Sequence, residues 1–196
     1  MSRAMVNKDI VRENIIHVAR GIFAKFGFKK TTMDEIALAT GKGKSSIYYY
    51  YDCKEDIFRA VVEREANMIK NKLIATVSEQ DNPVDKLSSY VKTRMAAFRE
   101  LINFYEALKN DSLTHLDFIE ATRKRFDEEE INMVIAILAR GNEKGLFKVK
   151  DVNLGAVSVV TAMKGLEVPM YATTDNLKVE DRINSVIDLI YFGIVK

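Results

Sequence analysis

The sequence is poor in the residues that interrupt helices or link chains covalently. Its 196 residues include one cysteine, two prolines, nine glycines and no tryptophan. A single cysteine excludes an internal disulfide, and few prolines and glycines leave long stretches that favour α-helix. No apolar run approaches the ~18 residues of a membrane span, and the N-terminus, MSRAMVNKDI, lacks the apolar segment of a signal peptide. We therefore expect a soluble, cytoplasmic, all-α protein with no membrane partner.

Catalytic and metal-binding groups are equally scarce. The chain has two histidines, His17 and His115, and no visible set of nucleophile, base and orienting group. Gly43–Ser45 resembles the end of a phosphate-binding loop, but Leu38 stands where that motif needs another glycine. We interpret the acidic run at 127–130 as a solvated helix face rather than a metal site. The sequence predicts no enzyme activity, no metal and no cofactor, and a helical enzyme of unknown activity is kept as an alternative.

Charge is unevenly distributed along the chain. Residues 1–54 contain ten Lys/Arg and five Asp/Glu, a net +5, whereas the remainder carries twenty basic and twenty-three acidic residues, a net −3. The overall +2 thus hides a basic N-terminal part on a slightly acidic body. Basic charge clustered in one part of a chain is typical of phosphate binding. The alternative without a functional role is a charged face that is simply solvated.

The segment 31–58 predicts two short helices joined by a tight turn. Thr32 stands three residues before Glu35, the spacing of a capping box. Gly41 permits the positive φ of a sharp helix end, and Gly43 is an acceptable N-cap for the next helix. Helix, glycine-containing turn and helix form the helix-turn-helix pattern, whose second helix enters the DNA major groove.

The second of these helices has two different faces. Ile47 and Tyr51 are four residues apart and are expected to pack onto the first helix. Tyr48 and Tyr49 would then point away from it. Lys44 would lie in the first turn, where free N–H groups and the helix dipole attract anions.

At this point the chain resembles a known family. The pieces IIHVARGIFAKFGFKKTTMDEIALATG, KSSIYYYY and KEDIF look like the DNA-binding region of the TetR family of bacterial transcriptional repressors. The resemblance covers about the first third of the chain. It implies a three-helix DNA-binding domain over residues 1–53 and a helical ligand-binding and dimerisation domain over residues 54–196.

The resemblance also assigns roles to individual residues. It implies phosphate contacts by Thr32, Tyr48 and Lys54, and contacts near base edges by the first turn of the recognition helix. Lys42 replaces a small apolar residue usual in the turn, and we interpret it as an extra phosphate contact because its long stem lets the ammonium reach the backbone. The full predicted DNA-binding set is Thr32, Lys42, Lys44, Ser45, Ser46, Tyr48, Tyr49, Tyr50 and Lys54.

The C-terminal part offers two weaker patterns. Small residues recur at helical spacing between 155 and 165, which lets another helix approach closely, and apolar residues recur along the last helix. In TetR-like proteins this helix pair forms a four-helix bundle with its symmetry mate, although packing within one chain is the simpler interpretation. The predicted homodimer interface is Gly155, Ser158, Ala162, Gly165, Ile183, Val186 and Ile190.

Large apolar residues upstream of this pair predict a pocket for a small-molecule effector that is apolar or amphipathic. The candidates for its wall are Met95, Phe98, Ile102, Tyr105, Phe118 and Ile135. The sequence therefore predicts a repressor that leaves a near-palindromic operator when an effector binds. Besides the enzyme, the alternative is a DNA-binding protein without a ligand.

Overall fold

The structure is a computed structural model that describes residues 3–97, 117–171, 181, 183–185, 187–190 and 193. Over these residues it is helical, with no β-strand, so the predicted all-α fold is confirmed. The helices are α1 (Arg3–Phe26), α2 (Met33–Ala39), α3 (Lys44–Tyr48), α4 (Lys54–Ser78), α5 (Pro83–Ala97), α6 (Asp117–Glu143) and α7 (Val152–Tyr171).

The chain divides into two compact units. Unit 1 comprises the described residues of 1–66 and 101–121, and unit 2 those of 67–100 and 122–196. The division falls within α4, so this helix contributes to both units. The predicted domain boundary between residues 53 and 54 stays a prediction.

Unit 1 is built around the inner face of α1. Ile15 and Ala19 are fully buried, and Phe23 is nearly so. The Phe23 ring meets Phe58 edge-on at 5.0 Å between centroids, and Phe28 completes the cluster at 4.8 Å from Phe58. Aromatic rings in this geometry stabilise a core beyond the area they bury, so the cluster fixes α1 against the start of α4.

A buried charge also joins α1 to α4. Glu65 is fully buried, and its Oε1 accepts a hydrogen bond of 2.8 Å from Nε of Arg20. A buried carboxylate is costly unless it is paired. Loss of the Arg20 side chain would therefore leave a poorly compensated charge inside unit 1.

Two helix ends follow the glycine pattern expected from sequence. Gly27, after α1, has φ +77°, and Gly145, after α6, has φ +67°. After α6 the Leu146 N–H donates to the Gly141 carbonyl at 2.9 Å, while the Gly145 N–H donates to the Asn142 carbonyl at 2.9 Å. These two bonds define a Schellman motif, which confirms the predicted end of α6.

The core of unit 2 combines apolar side chains from three helices with one buried polar group. Tyr90 of α5 is fully buried, and its hydroxyl donates to Oε1 of Glu130 at 2.7 Å. The apolar part of this core includes Leu87, Val91, Met95, Val134, Leu138, Ala156, Val160 and Met163. The hydroxyl group thus gives the buried Glu130 carboxylate a hydrogen-bond donor within this core.

The acidic run at 127–130 is not the solvated face that the sequence suggested. Glu130 is 2% exposed and forms a buried ion pair with Arg94 at 2.7 Å. Asp127 pairs with Lys164, and Glu129 pairs with Lys70 at 2.8 Å. The interpretation was wrong because the cationic partners lie 35 or more residues away in sequence, where local periodicity carries no information about them.

No described helix is both long and apolar enough to cross a membrane. Among the described residues, no group of three or more His, Cys, Asp or Glu side chains is arranged to hold a metal ion.

The packing of Gly141 generates a stability prediction. A Cβ added at Gly141 would lie 1.9 Å from Cδ2 of the buried Phe147 ring, so Gly141→Ala must displace that ring. We expect a loss of about 1–3 kcal/mol in unfolding free energy. Urea unfolding at fixed protomer concentration measures it.

The matched control is the same substitution at Gly21, inside α1. A Cβ there meets nothing within 4 Å, so Gly21→Ala should stabilise the protein by about 0.5–1 kcal/mol through helix propensity alone. Equal behaviour of the two variants would contradict the close packing of Phe147 on α6.

Candidate nucleic-acid interface

The first helix of the interface, α2, begins with the predicted capping box. The Glu35 N–H donates to Oγ1 of Thr32 at 3.3 Å, and the Thr32 N–H donates to Oε2 of Glu35 at 2.7 Å. Both bonds satisfy N–H groups that the helix start leaves free. The prediction is confirmed, and it fixes where α2 begins.

The turn between α2 and α3 is a second Schellman motif. The Lys42 N–H donates to the Ala37 carbonyl at 3.0 Å, and the Gly41 N–H donates to the Leu38 carbonyl at 3.1 Å. Gly41 has φ +65°, a conformation that any residue with a side chain adopts only at a cost. Gly43 is the N-cap of α3 in an extended conformation, so the predicted geometry of the turn is confirmed.

Helix α3 buries one face and exposes the other. Ile47 is fully buried, and Tyr51, just beyond the helix, is 8% exposed. On the other face Tyr48 is 43% exposed and Tyr49 is 68% exposed. Lys44 and Ser45 are also exposed. Lysine, serine and tyrosine therefore project outward from a helix that is fixed by its inner face.

Four further members of the predicted set are less exposed. Lys42, Ser46, Tyr50 and Lys54 are half-buried. The Tyr49 and Tyr50 rings meet edge-on at 5.0 Å between centroids. Tyr50 therefore supports the exposed Tyr49 ring, in addition to the DNA contact predicted for Tyr50 itself.

Sequence reasoning missed two cations of α1 that lie beside these tyrosines. Nζ of Lys8 lies 5.0 Å from the centroid of the Tyr49 ring. Arg12 donates from Nη2 to the Tyr50 carbonyl at 3.2 Å, and its guanidinium lies 5.2 Å from the centroid of Tyr51. Their separation of four residues places Lys8 and Arg12 on one face of α1, which was a usable signal. Both add positive charge beside α3.

Lys54 holds the corner that follows α1. Its Nζ donates to the Phe28 carbonyl at 2.9 Å and lies 4.3 Å from the centroid of the Phe28 ring. An ammonium has three donors, so this bond leaves others for a phosphate. The side chain therefore has a structural role in addition to the predicted DNA contact.

The exposed Lys44 forms an ion pair with Asp34 of α2. Its Nζ lies 2.8 Å from Oδ1 of Asp34. The hydrogen bond to Asp34 and the negative charge of that residue raise the pKa of Lys44 above its ordinary value. The ammonium thus remains charged at neutral pH, and a carboxylate occupies the position where an anionic partner would bind it.

Cys53 is not arranged as a reactive thiol. Its Sγ lies 3.1 Å from Oδ2 of Asp56, to which the thiol donates. Burial and the hydrogen bond to Asp56 raise the pKa of the Cys53 thiol. Reactive cysteines have lowered pKa values, so the environment of Cys53 favours a structural role at the start of α4.

Three of the six predicted pocket residues, Met95, Phe118 and Ile135, are among the described residues. Phe98, Ile102 and Tyr105 lie outside the described residues. Met95 and Phe118 belong to different units, with Met95 buried in the core of unit 2. Phe118 contacts the Phe58 ring and the Arg59 guanidinium within unit 1, and Ile135 is half-buried in unit 2. The predicted effector pocket stays a prediction.

The predicted dimer face is largely open. Ser158, Ala162 and Gly165 are exposed, and Gly155 and Ile190 are half-buried. A groove of about 580 Å³ is lined by four of the predicted residues, Gly155, Ser158, Ala162 and Ile190, among others. Ile183 is half-buried, and Val186 lies outside the described residues.

A capped helix, a glycine turn and a short exposed helix with a basic and tyrosine-rich face define a helix-turn-helix DNA-binding protein. Residues 15–61 match the family profile described as bacterial regulatory proteins, tetR family. This stretch therefore matches the DNA-binding region of the TetR family, which confirms the resemblance seen in the sequence.

Three known proteins show the extent of the similarity. The biofilm operon icaADBC HTH-type negative transcriptional regulator IcaR of Staphylococcus epidermidis is 29% identical over 121 residues, which span 57% of this chain and 64% of that protein. A transcriptional regulator from Cytophaga hutchinsonii is 28% identical, with a TM-score of 0.78 over 94% of this chain and 98% of that one. AibR, solved with isovaleryl coenzyme A and operator DNA, is 18% identical, with a TM-score of 0.66 over 92% and 98%, and shows the fold alone.

The Lys44–Asp34 pair generates a prediction about DNA affinity. Asp34→Asn removes a negative charge from the interface and releases Lys44, so we expect duplex DNA to bind several-fold more tightly at low salt. Because the pair is exposed, its loss should leave the unfolding free energy nearly unchanged. Fluorescence anisotropy with labelled duplex measures the affinity.

Glu79→Gln is the control for Asp34→Asn, since it removes the same charge at an exposed position after α4. It should leave DNA affinity nearly unchanged. Unchanged or weaker binding by Asp34→Asn would show that the carboxylate does not compete with DNA for Lys44.

Proposed function

We propose that the chain is a one-component transcriptional repressor. It binds a near-palindromic operator as a homodimer and leaves it when a small molecule binds unit 2. The observation that carries the proposal is the outward face of α3, where Lys44, Ser45 and Tyr49 are exposed above the buried Ile47. The exposed face of α3 is narrow, basic and aromatic, and the DNA major groove is a partner that fits such a surface.

The proposed contacts divide into two kinds. Lys44, Ser45, Ser46 and Tyr49 approach base edges, because α3 presents its first turn and outer face to the groove. Phosphate contacts position the helix but carry no sequence information. They come from Thr32, Lys42, Tyr48 and Lys54, with Tyr50 beside them, and from the additional cations Lys8 and Arg12.

Salt dependence tests this division. Each neutralised phosphate contributes roughly −0.9 to the slope of log affinity against log salt. Lys54→Ala should therefore weaken binding to all sequences and flatten the slope by about one. Lys44→Ala should act more on the choice of sequence, measured by selection of bound DNA followed by titration at several salt concentrations.

Lys92→Ala is the matched control, because Lys92 is exposed on α5 in unit 2 and should leave both affinity and slope unchanged. Parent-like binding by both Lys44→Ala and Lys54→Ala would place the DNA-binding surface elsewhere. Thermal unfolding of Lys54→Ala separates loss of the bond to Phe28 from loss of a phosphate contact.

The groove beside α7 supports the proposed homodimer. Leu154 and Val157 of α7 are 65% and 43% exposed, and Leu189, which lines the groove, is 70% exposed. Apolar side chains that are open to water on one face favour association with a complementary surface. A two-fold dimer presents two α3 helices, so the operator is expected to be an inverted repeat.

Ala162→Arg tests the dimer. Ala162 is exposed in the protomer, so an arginine there leaves the folded chain intact but places an unpaired charge in the proposed interface. We expect dissociation at micromolar concentration, measured by sedimentation equilibrium. Asn132→Arg, at an exposed position of α6, is the control and should remain dimeric. A monomeric parent protein would refute the proposal.

Effector control is supported by the connection between the units. α4 and α6 each have residues in both units, so a ligand that changes helix packing in unit 2 acts on a helix that also belongs to unit 1. The effector shifts the equilibrium only by its differential affinity for two conformations. AibR was solved with both an acyl coenzyme A and operator DNA, which supports a ligand without identifying it.

Two other functions lead to different outcomes. A DNA-binding protein without an effector would bind the operator but would not be released by any compound in a screen. A helical enzyme would turn over a substrate, and the described residues offer no catalytic set for one. We propose a cytoplasmic location for the repressor, where its operator is accessible.

A further inference from the structure

Unit 2 contains a buried carboxylate oxygen of Glu130, a residue that lines a cavity. Oε1 of Glu130 accepts hydrogen bonds from Arg94 Nε and from the Tyr90 hydroxyl, both at 2.7 Å. Oε2 of the same residue is buried and has no hydrogen-bond partner among the described residues. A buried acceptor without a partner is costly, so this oxygen is a site for a group that donates a hydrogen bond.

Glu130 lines a cavity of about 50 Å³ whose other walls are largely apolar. The Phe126 ring is 5% exposed and lies 5.6 Å from the Arg94 guanidinium. Toward solvent, Ile74 is 45% exposed, and the side chains of Lys70 and Glu129 are 35% and 38% exposed. The remaining described lining residues are Leu73 and Met133. Over the described residues, the cavity therefore has a largely apolar interior with the buried Glu130 carboxylate in its wall, and a mouth on the surface beside the Lys70–Glu129 pair.

The charges around the cavity cancel. Arg94 neutralises Glu130, and Lys70 neutralises Glu129 at 2.8 Å. A bound cation would add an uncompensated charge close to Arg94, and a bound carboxylate would place its charge against Oε2. Taking either out of water is costly unless a partner compensates it, and the charged groups described at the cavity are already paired with one another. A neutral donor satisfies Oε2 without adding charge.

We propose that this cavity is an effector site for a neutral, largely apolar molecule with a hydroxyl group. The hydroxyl donates to Oε2 of Glu130, and the hydrocarbon part packs on Phe126 and Met133 and extends past Ile74. The site rests on the proposed effector control and names its ligand class. The described members of the pocket predicted from the sequence, Met95, Phe118 and Ile135, do not line it.

Binding is tested with probes that differ only in their polar group. 1-Hexanol, hexyl methyl ether, hexylammonium and hexanoate are titrated into full-length protein carrying ¹³C-methyl methionine. The Met133 methyl signal, assigned with Met133→Leu, reports on the cavity, while Met163, which does not line it, is the internal control. We expect 1-hexanol to shift the Met133 signal saturably and to bind about tenfold more tightly than the ether, which lacks the donor.

Two variants tie the binding to the mouth of the cavity. Ile74→Trp should reduce 1-hexanol affinity at least tenfold by filling the entrance. Met68→Trp changes another partly exposed residue of α4, 43% exposed, that does not line the cavity, and should bind like the parent. Both positions accept a larger side chain at the surface, so folding is expected to be preserved in each.

The outcomes separate this proposal from the proposed function. Tighter binding of hexylammonium or hexanoate, equal binding of the ether, or no Met133 shift with any probe would overturn the neutral-donor site. The absence of a Met133 shift with every probe would mean that only water occupies the cavity. Operator release is measured separately with the same probes. Operator release without a Met133 shift would support the repressor but contradict this site. A Met133 shift without operator release would show that the site binds the probe but does not control DNA binding.

Discussion

Helix α3 depends on the burial of Ile47. A helix of five residues forms too few internal hydrogen bonds to be stable by itself, so its position comes from packing. Ile47 is fully buried, which contributes about 1.5–3 kcal/mol and fixes the rotation of the helix. Once Ile47 faces inward, helical periodicity turns Tyr48 and Tyr49 away from the core, while Lys44 is exposed in the first turn of the helix. The arrangement of the DNA-binding surface thus follows from one apolar contact.

The elements around α3 preserve this arrangement. The capping box fixes the start of α2, and the Schellman turn at Gly41 fixes the path into α3. Arg12 holds the chain after α3 through the Tyr50 carbonyl, and Lys54 holds the corner after α1 through the Phe28 carbonyl. Arg12 and Lys54 therefore have structural bonds in addition to their proposed DNA contacts. Substitution of either residue tests both together unless stability is measured as well.

Polar groups have a different role in unit 2. The Arg94–Glu130 pair with Tyr90 is buried, and such a group contributes less to stability than an apolar core of the same volume. It does, however, place an acceptor oxygen beside an apolar cavity. Because the described cations at this cavity are paired with carboxylates, the proposed ligand would be selected by hydrogen bonding rather than by charge. The surface around α3 differs, because Lys8, Arg12 and Lys44 lie there beside exposed tyrosines.

The sequence by itself determined the local parts of this protein. Residues within five positions of one another decide where α2 begins at Thr32 and where helices end at Gly41 and Gly145. They also decide that Ile47 points inward. The family motifs are equally local, so the DNA-binding region was predictable. Only the tertiary structure decided that Glu130 is buried against Arg94, that Asp34 forms an ion pair with Lys44, and that the Lys8 ammonium lies over the Tyr49 ring. These pairs are separated by 10 to 41 positions, and the periodicity of one helix does not identify which residue of another helix it contacts.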